Sequence, residues 1–383
     1  MRRLRTTSTQ RLTAIFAALV ALALTAALAQ AALNGGGDKP DPKPLDRAVH
    51  DAVTAPPVKG VSARITFTNG LLPAGSLPSG AASPIAEGAE GRLWLAGDGR
   101  VRLELQSDAG DAQIVADGKR LTIYDSASDT AYTMPTPGKA EERGREEASL
   151  GDIRRGLDQL ATAWTLSGAT PTTTAGRPTY TVRIAPKDDG GLLGAAELAW
   201  DAVNGVPLRA AIYAQGQDQP VLELEADDVS YGEIDAATFE ADHPATARVV
   251  EVDPVVEDHG GKQSRVRGVD AVQDRLGFEL SAPRELAGLD RQSVRLVDMG
   301  DQNAALSIYG EGMGAIAVLQ REAGAERESS EDSPLPQINI DGATGTELAT
   351  PLGTLVTFRR GDVEYIVIGS VPPVAAENAA RGL

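Results

Sequence analysis

From residue 61 onward the chain changes character at every second position, and this constrains its fold more than any other feature. Val61, Ala63, Ile65 and Phe67 alternate with Ser62, Arg64, Thr66 and Thr68. Successive side chains leave a strand on opposite sides, so the pattern gives one apolar and one polar face. It returns at Val101, Leu103 and Leu105 between Arg100, Arg102 and Glu104, and at Tyr180, Val182 and Ile184 around Thr181 and Arg183. Leu198 and Trp200, then Leu208, Ala210 and Ile212, then Leu222 and Leu224 extend the series. Half-buried antiparallel strands are the expectation. Asn204-Gly205, Asp117-Gly118 and Asp98-Gly99 supply tight-turn signals between them, so sequential hairpins form a meander.

Two stretches follow helical spacing instead. Leu45, Val49, Ala52 and Val53 recur on one stripe until Pro56-Pro57 stops the run. Leu150, Ile153, Leu157, Leu160 and Trp164 form a second stripe, with Ser149 and Asp152 placed as a capping pair. Both helices are expected to cover the apolar face of a twisted sheet. Leu71 to Glu90 is long, rich in small residues and without period, a mobile hairpin tip or a lid over a cavity mouth.

A second pattern begins after a polar spacer at 251–266. Leu276–Leu280, Val294–Val297, Ala304–Tyr309, Ala315–Leu319, Leu355–Phe358 and Tyr365–Ile368 read as strands, and Pro372-Pro373 opens a terminal helix. A chain of 383 residues exceeds the usual size of one core. The layout expected is a first domain at 45–250 and a smaller α+β domain at 267–383. Gly310-Glu311-Gly312-Met313-Gly314 resembles a nucleotide loop only in composition, because the apolar run after it is a strand pattern, so a hairpin connection is expected.

At the N-terminus, Arg2, Arg3, Arg5 and Arg11 precede an apolar run from Leu12 to Ala29 with small residues after it. Residues 1–33 therefore read as an export signal, cleaved or kept as an anchor, and the charge bias sends the rest of the chain across the membrane. Residues 34–44 form a Gly- and Pro-rich linker. The net charge of −18 and the lack of clustered Lys/Arg with aromatics exclude nucleic acid as a partner. With no cysteine, disulfides, thiolate metal sites and a lipid-bearing Cys are excluded as well.

Ile114 to Pro135, IVADGKRLTIYDSASDTAYTMP, resembles the strand-turn-strand signature of the outer-membrane lipoprotein carrier (LolA-like) superfamily. Asp117-Gly118-Lys119 with Tyr124-Asp125 carries the likeness. Gly176 to Gly216, including Gly205-Val206-Pro207-Leu208-Arg209, resembles the second half of actinobacterial relatives. The resemblance implies an open half-barrel antiparallel sheet that holds lipid or lipoprotein acyl chains on its concave face without enzymatic activity or cofactor. Ala96-Gly97-Asp98-Gly99 stands where carriers have Arg-Pro, so no release arginine is carried over. The C-terminal part resembles a small α+β module appended to exported proteins of this kind. A LolA-like domain followed by a smaller domain is also the layout of RseB/MucB-like envelope-stress regulators, which bind an anti-sigma factor, so a membrane protein is the alternative partner.

The candidate ligand-binding residues are the inward-facing Ile65, Phe67, Leu93, Leu95, Leu103, Leu121, Ile123, Val182 and Trp200. Taken singly, each reads first as ordinary core, and the binding face is the reading of the set. No G-x-S-x-G, H-E-x-x-H or P-loop is present, and His50, His243 and His259 lack a nearby nucleophile motif, so neither a catalytic site nor a metal site is expected.

Overall fold

The computed structural model describes residues 39–71, 84–135, 149–187, 191–251, 266–299, 302–324 and 335–383. The export segment, most of the loop after Leu71, the polar spacer with Asp258 and His259, and most of the acidic Glu322–Asp332 stretch lie outside them. The protein is α+β, with an open half-barrel sheet followed by a smaller sheet-and-helix unit.

The first sheet contains β1 (Gly60–Asn69), β2 (Ala89–Ala96), β3 (Val101–Ser107), β4 (Gly110–Ala116), β5 (Arg120–Asp125) and β6 (Thr130–Pro135). After a helix come β7 (Trp164–Leu166), β8 (Thr170–Thr174), β9 (Arg177–Pro186), β10 (Leu193–Asp201), β11 (Pro207–Ala214), β12 (Pro220–Tyr231) and β13 (Arg248–Glu251). The strands lie in the order β13-β6-β5-β4-β3-β2-β1-β12-β11-β10-β9-β7, with β8 paired to β9. Pairing of β1 with β12 closes the middle of the sheet, joining Val61 to Tyr231 and Phe67 to Leu224. One pairing departs from the meander: β13 runs parallel to β6. Glu251, expected at the start of the spacer, is therefore part of the sheet. The largely exposed Arg-Val-Val-Glu of β13 gives no alternation to read.

Helix α1 (Leu45–Thr54) lays Ala48, 1 % exposed, against Tyr180, Val182 and Trp200. A single turn, α2 (Pro84–Glu87), packs Ile85 on the central strands. Helix α3 (Leu150–Leu160) begins with a capping box in which Ser149 Oγ accepts from the Asp152 N–H and Asp152 Oδ2 accepts from the Ser149 N–H. Expected as a second cover for the sheet, α3 packs on α1, where Arg154 Nε meets Asp46 Oδ2 at 2.6 Å. None of its side chains is fully buried.

The second sheet contains β14 (Glu285–Leu286), β15 (Leu289–Asp298), β16 (Asn303–Tyr309), β17 (Ile316–Glu322), β18 (Gln337–Ile340), β19 (Ala343–Thr350), β20 (Gly353–Arg360) and β21 (Val363–Gly369). Their order is β14-β15-β16-β17-β21-β20-β19-β18. Helix α4 (Val269–Gln273) and helix α5 (Pro373–Arg381) cover one face, α5 inserting Ala376, Ala379 and Ala380 among Val356, Phe358 and Val367. Leu276–Leu280, expected as a strand, is irregular: Leu280 is buried beside Val272, and Gln273 binds the backbone at both Phe278 and Leu280. Those hydrogen bonds replace a ladder. The glycine-rich 310–314 stretch is the β16–β17 hairpin connection.

Candidate ligand-binding face

Residues directly opposite on paired strands share a face, so register decides which side chains meet. Val182 is opposite Leu198, Leu198 opposite Ala210, Ala210 opposite Leu224, and Leu224 opposite Phe67. On the other side of β1, Ala63 is opposite Leu93, Leu93 opposite Leu103, Leu103 opposite Ile114, and Ile114 opposite Ile123. Leu95 pairs with Val61, Leu121 with Ala116, and Trp200 lies across from Tyr180. All nine candidate residues therefore line one continuous apolar face.

That face has three regions. At the β9–β10 end, Tyr180, Val182 and Trp200 are 2 %, 7 % and 5 % exposed beneath α1. In the middle, Ile65 is buried with Val61, Ala63 and Leu105, while Phe67, Leu93, Leu95 and Leu103 are half-buried against the same cluster. Towards β6, Leu121 and Ile123 are half-buried beside Ile114, Tyr132 and Met134 and belong to neither packed cluster. Ile65, Val182 and Trp200 are packed core in this arrangement. Leu121 and Ile123 are the accessible end of the face. Sequence reasoning missed Ile114, Tyr132 and Met134, although the alternation of Met134 and Tyr132 within the quoted TAYTMP was available as a signal.

The covered end is anchored by a turn. Asp201, 2 % exposed, accepts from the Val203 N–H at 2.8 Å and from the Tyr231 hydroxyl at 2.7 Å. Burial and the neighbouring Asp201 charge raise the Tyr231 phenol well above its ordinary value, so it stays a donor. Gly205 has φ +73°, and a Cβ there would stand 2.4 Å from the carbonyl oxygen of Ala52 at the end of α1. The Asn-Gly signal thus marks a hairpin turn on which the covering helix rests.

The opposite face of the sheet carries a charged cluster. Arg209 lies between Glu223 (2.6 Å), Glu197 (2.8 Å) and the Tyr213 hydroxyl (2.9 Å), and Arg183 holds the other Glu197 oxygen at 2.8 Å. Burial acts to raise the Glu197 carboxyl, but hydrogen bonds from Arg209, Arg183 and Tyr213 outweigh it and hold the group below its ordinary value. Further along, a strap of residues 235–247 crosses β3 to β6. Phe239 is buried under the Arg100 guanidinium, and Arg102 donates to the carbonyls of Thr238 and Glu240. His243 stacks on Tyr124 at 6.3 Å. Among the described residues no group of three or more His, Asp or Glu side chains could hold a metal, and no helix is long and apolar enough to cross a membrane.

No family model matches the sequence, and no curated protein matches it. Among solved structures, the MucA/MucB complex of Pseudomonas aeruginosa is similar at 16 % identity, covering 88 % of this chain and 94 % of that one, with a TM-score of 0.41. A conserved protein from Thermus thermophilus is 13 % identical over 54 % of this chain and 96 % of its own, TM-score 0.32. An outer-membrane lipoprotein-sorting protein domain from Vibrio parahaemolyticus is 12 % identical over 49 % of this chain and 92 % of its own, TM-score 0.19. At such values resemblance fixes neither ligand nor partner.

Proposed function

We propose that the protein is a non-enzymatic, extracytoplasmic binder of lipid or lipoprotein acyl chains, held on the apolar face of its first sheet. One observation carries this reading: a single register-matched face runs from packed core under α1 to half-buried Leu121 and Ile123, which lie beside Ile114 and, among the described residues, belong to neither packed cluster. An acyl chain laid there leaves water, gaining about 0.8 kcal/mol per buried methylene, and no covalent step is required. The reading as a carrier relative rests on the Asp117-Gly118-Lys119 and Gly205-Val206-Pro207-Leu208-Arg209 motifs.

Two substitutions test it. Ile123→Asp is expected to remove lipid that co-purifies with residues 38–383 from a bacterial envelope, measured by mass spectrometry of organic extracts, while the far-UV circular dichroism stays native. Ile65→Asp places a carboxylate in packed core and is expected to unfold the domain. A clean extract from the wild-type protein would sink the lipid reading.

A membrane-protein partner such as an anti-sigma factor is the second reading, and the outer face of the second sheet favours it. Leu306, Leu319 and Ile366 form one cross-strand row, and Ile308, Ile368 and Leu355 belong to the next. Ile368 is 51 % exposed. Polar side chains are the usual occupants of a solvated sheet face.

A further inference from the structure

The two units meet at a place that the covalent chain does not dictate. The chain leaves the first sheet from β13 at one edge, yet the second unit touches the β9–β10 hairpin near the opposite edge. There the Leu192 N–H is shared between the carbonyl oxygen of Ser370 (3.1 Å) and its hydroxyl (3.0 Å). The Ser370 hydroxyl donates in turn to Leu352 O at 2.8 Å. Backbone meets backbone: Gly191 has φ +63°, and a Cβ on it would stand 2.1 Å from Ser370 O. A side chain at this position and the contact exclude one another.

The strands of this hairpin also furnish the covered end of the apolar face, with Tyr180 and Val182 on β9 and Leu198 and Trp200 on β10. Because three of these are almost fully buried, a chain extending from the accessible end can reach them only if the hairpin or α1 shifts. A hairpin tied at its tip resists that shift. We propose that the Leu192–Ser370 contact is a latch: it holds the hairpin in the ligand-poor arrangement, and its release and the occupation of the face by an apolar chain favour one another. The coupling rests on the ligand reading above. Linkage makes it reciprocal, so weakening the latch must tighten binding by the factor through which binding weakens the latch.

The test compares residues 38–383 with Gly191→Val and, as a milder change in case valine perturbs the turn, Ser370→Ala. Each is titrated with dansyl-undecanoic acid, a fluorescent acyl probe, and measured by small-angle X-ray scattering. The expected result is a larger radius of gyration for Gly191→Val and binding about five- to tenfold tighter, the factor that one or two such hydrogen bonds supply. Ser370→Ala should move both readouts in the same direction by less. Unchanged scattering from both folded variants overturns the latch. Expanded scattering with unchanged affinity overturns the coupling. Absence of probe binding in wild type and variants alike overturns the ligand reading and the coupling with it, and is recognisable because the scattering change would persist.

Discussion

Gly205 shows how much one position can carry. It supplies the positive φ of the hairpin turn and leaves room for the Ala52 backbone. Gly205→Ala should cost about 2 kcal/mol or more, combining left-handed strain with displacement of α1. Urea denaturation should show a lower midpoint with an unchanged slope. The turn was legible because Asn-Gly between alternating runs has few other uses. What the sequence could not convey was that the turn bears the weight of α1, because Ala52 and Gly205 are brought together only by the closed sheet. The same limit applies to the candidate residues. Period two placed Ile65 and Ile123 on the same side of their strands, but burial of the first and accessibility of the second depend on where α1 and α2 come to rest.

Among the elements, β12 has a charge pattern with a measurable consequence. Glu223 and Glu225 share a face, with Asp227 beyond them, and Arg209 sits closer to Glu223 (2.6 Å) than to Glu225 (3.6 Å). Burial, and then repulsion from Glu223 and Asp227, raise the Glu225 carboxyl despite Arg209. A carboxyl raised on folding ionises first in the unfolded chain, so its contribution to stability falls as pH rises from its unfolded value through its folded one. Glu225→Gln is therefore expected to melt higher than wild type at pH 7, with the difference vanishing below about pH 4, where the group is protonated in both states. Thermal denaturation at the two pH values checks the sign. Strands such as β1, β3, β9 and β10 were readable because one face is greasy and the other wet. β13 was not, since a short exposed edge strand needs no alternation, and Leu276–Leu280 was misread because an apolar run can also be buried without a ladder when a side chain such as Gln273 satisfies its backbone.

For the whole molecule, the strap and β13 define where the first unit ends. Val115 and Ala131 lie on the sheet face opposite the ligand candidates, yet both are essentially buried on the side that the strap crosses. Residues 39–251 are expected to fold alone with sharp amide NMR dispersion. Residues 39–231, which keep every strand but β13 and lose the strap, should bind a hydrophobic dye and aggregate. Purification of the two fragments side by side decides the point, and native behaviour of the shorter one would show the strap to be dispensable.

The partnership of β1 with β12 joins residues more than 150 positions apart in the chain. Strands β2 to β6 can meet β1 early, by local hairpins, but the other edge of β1 has no neighbour until nearly the whole first unit is present. Folding with so many distant pairings is slow. Under the extracytoplasmic reading proposed above, such delay has a use: the sheet cannot close before the segment bearing its central partner has crossed to the far side.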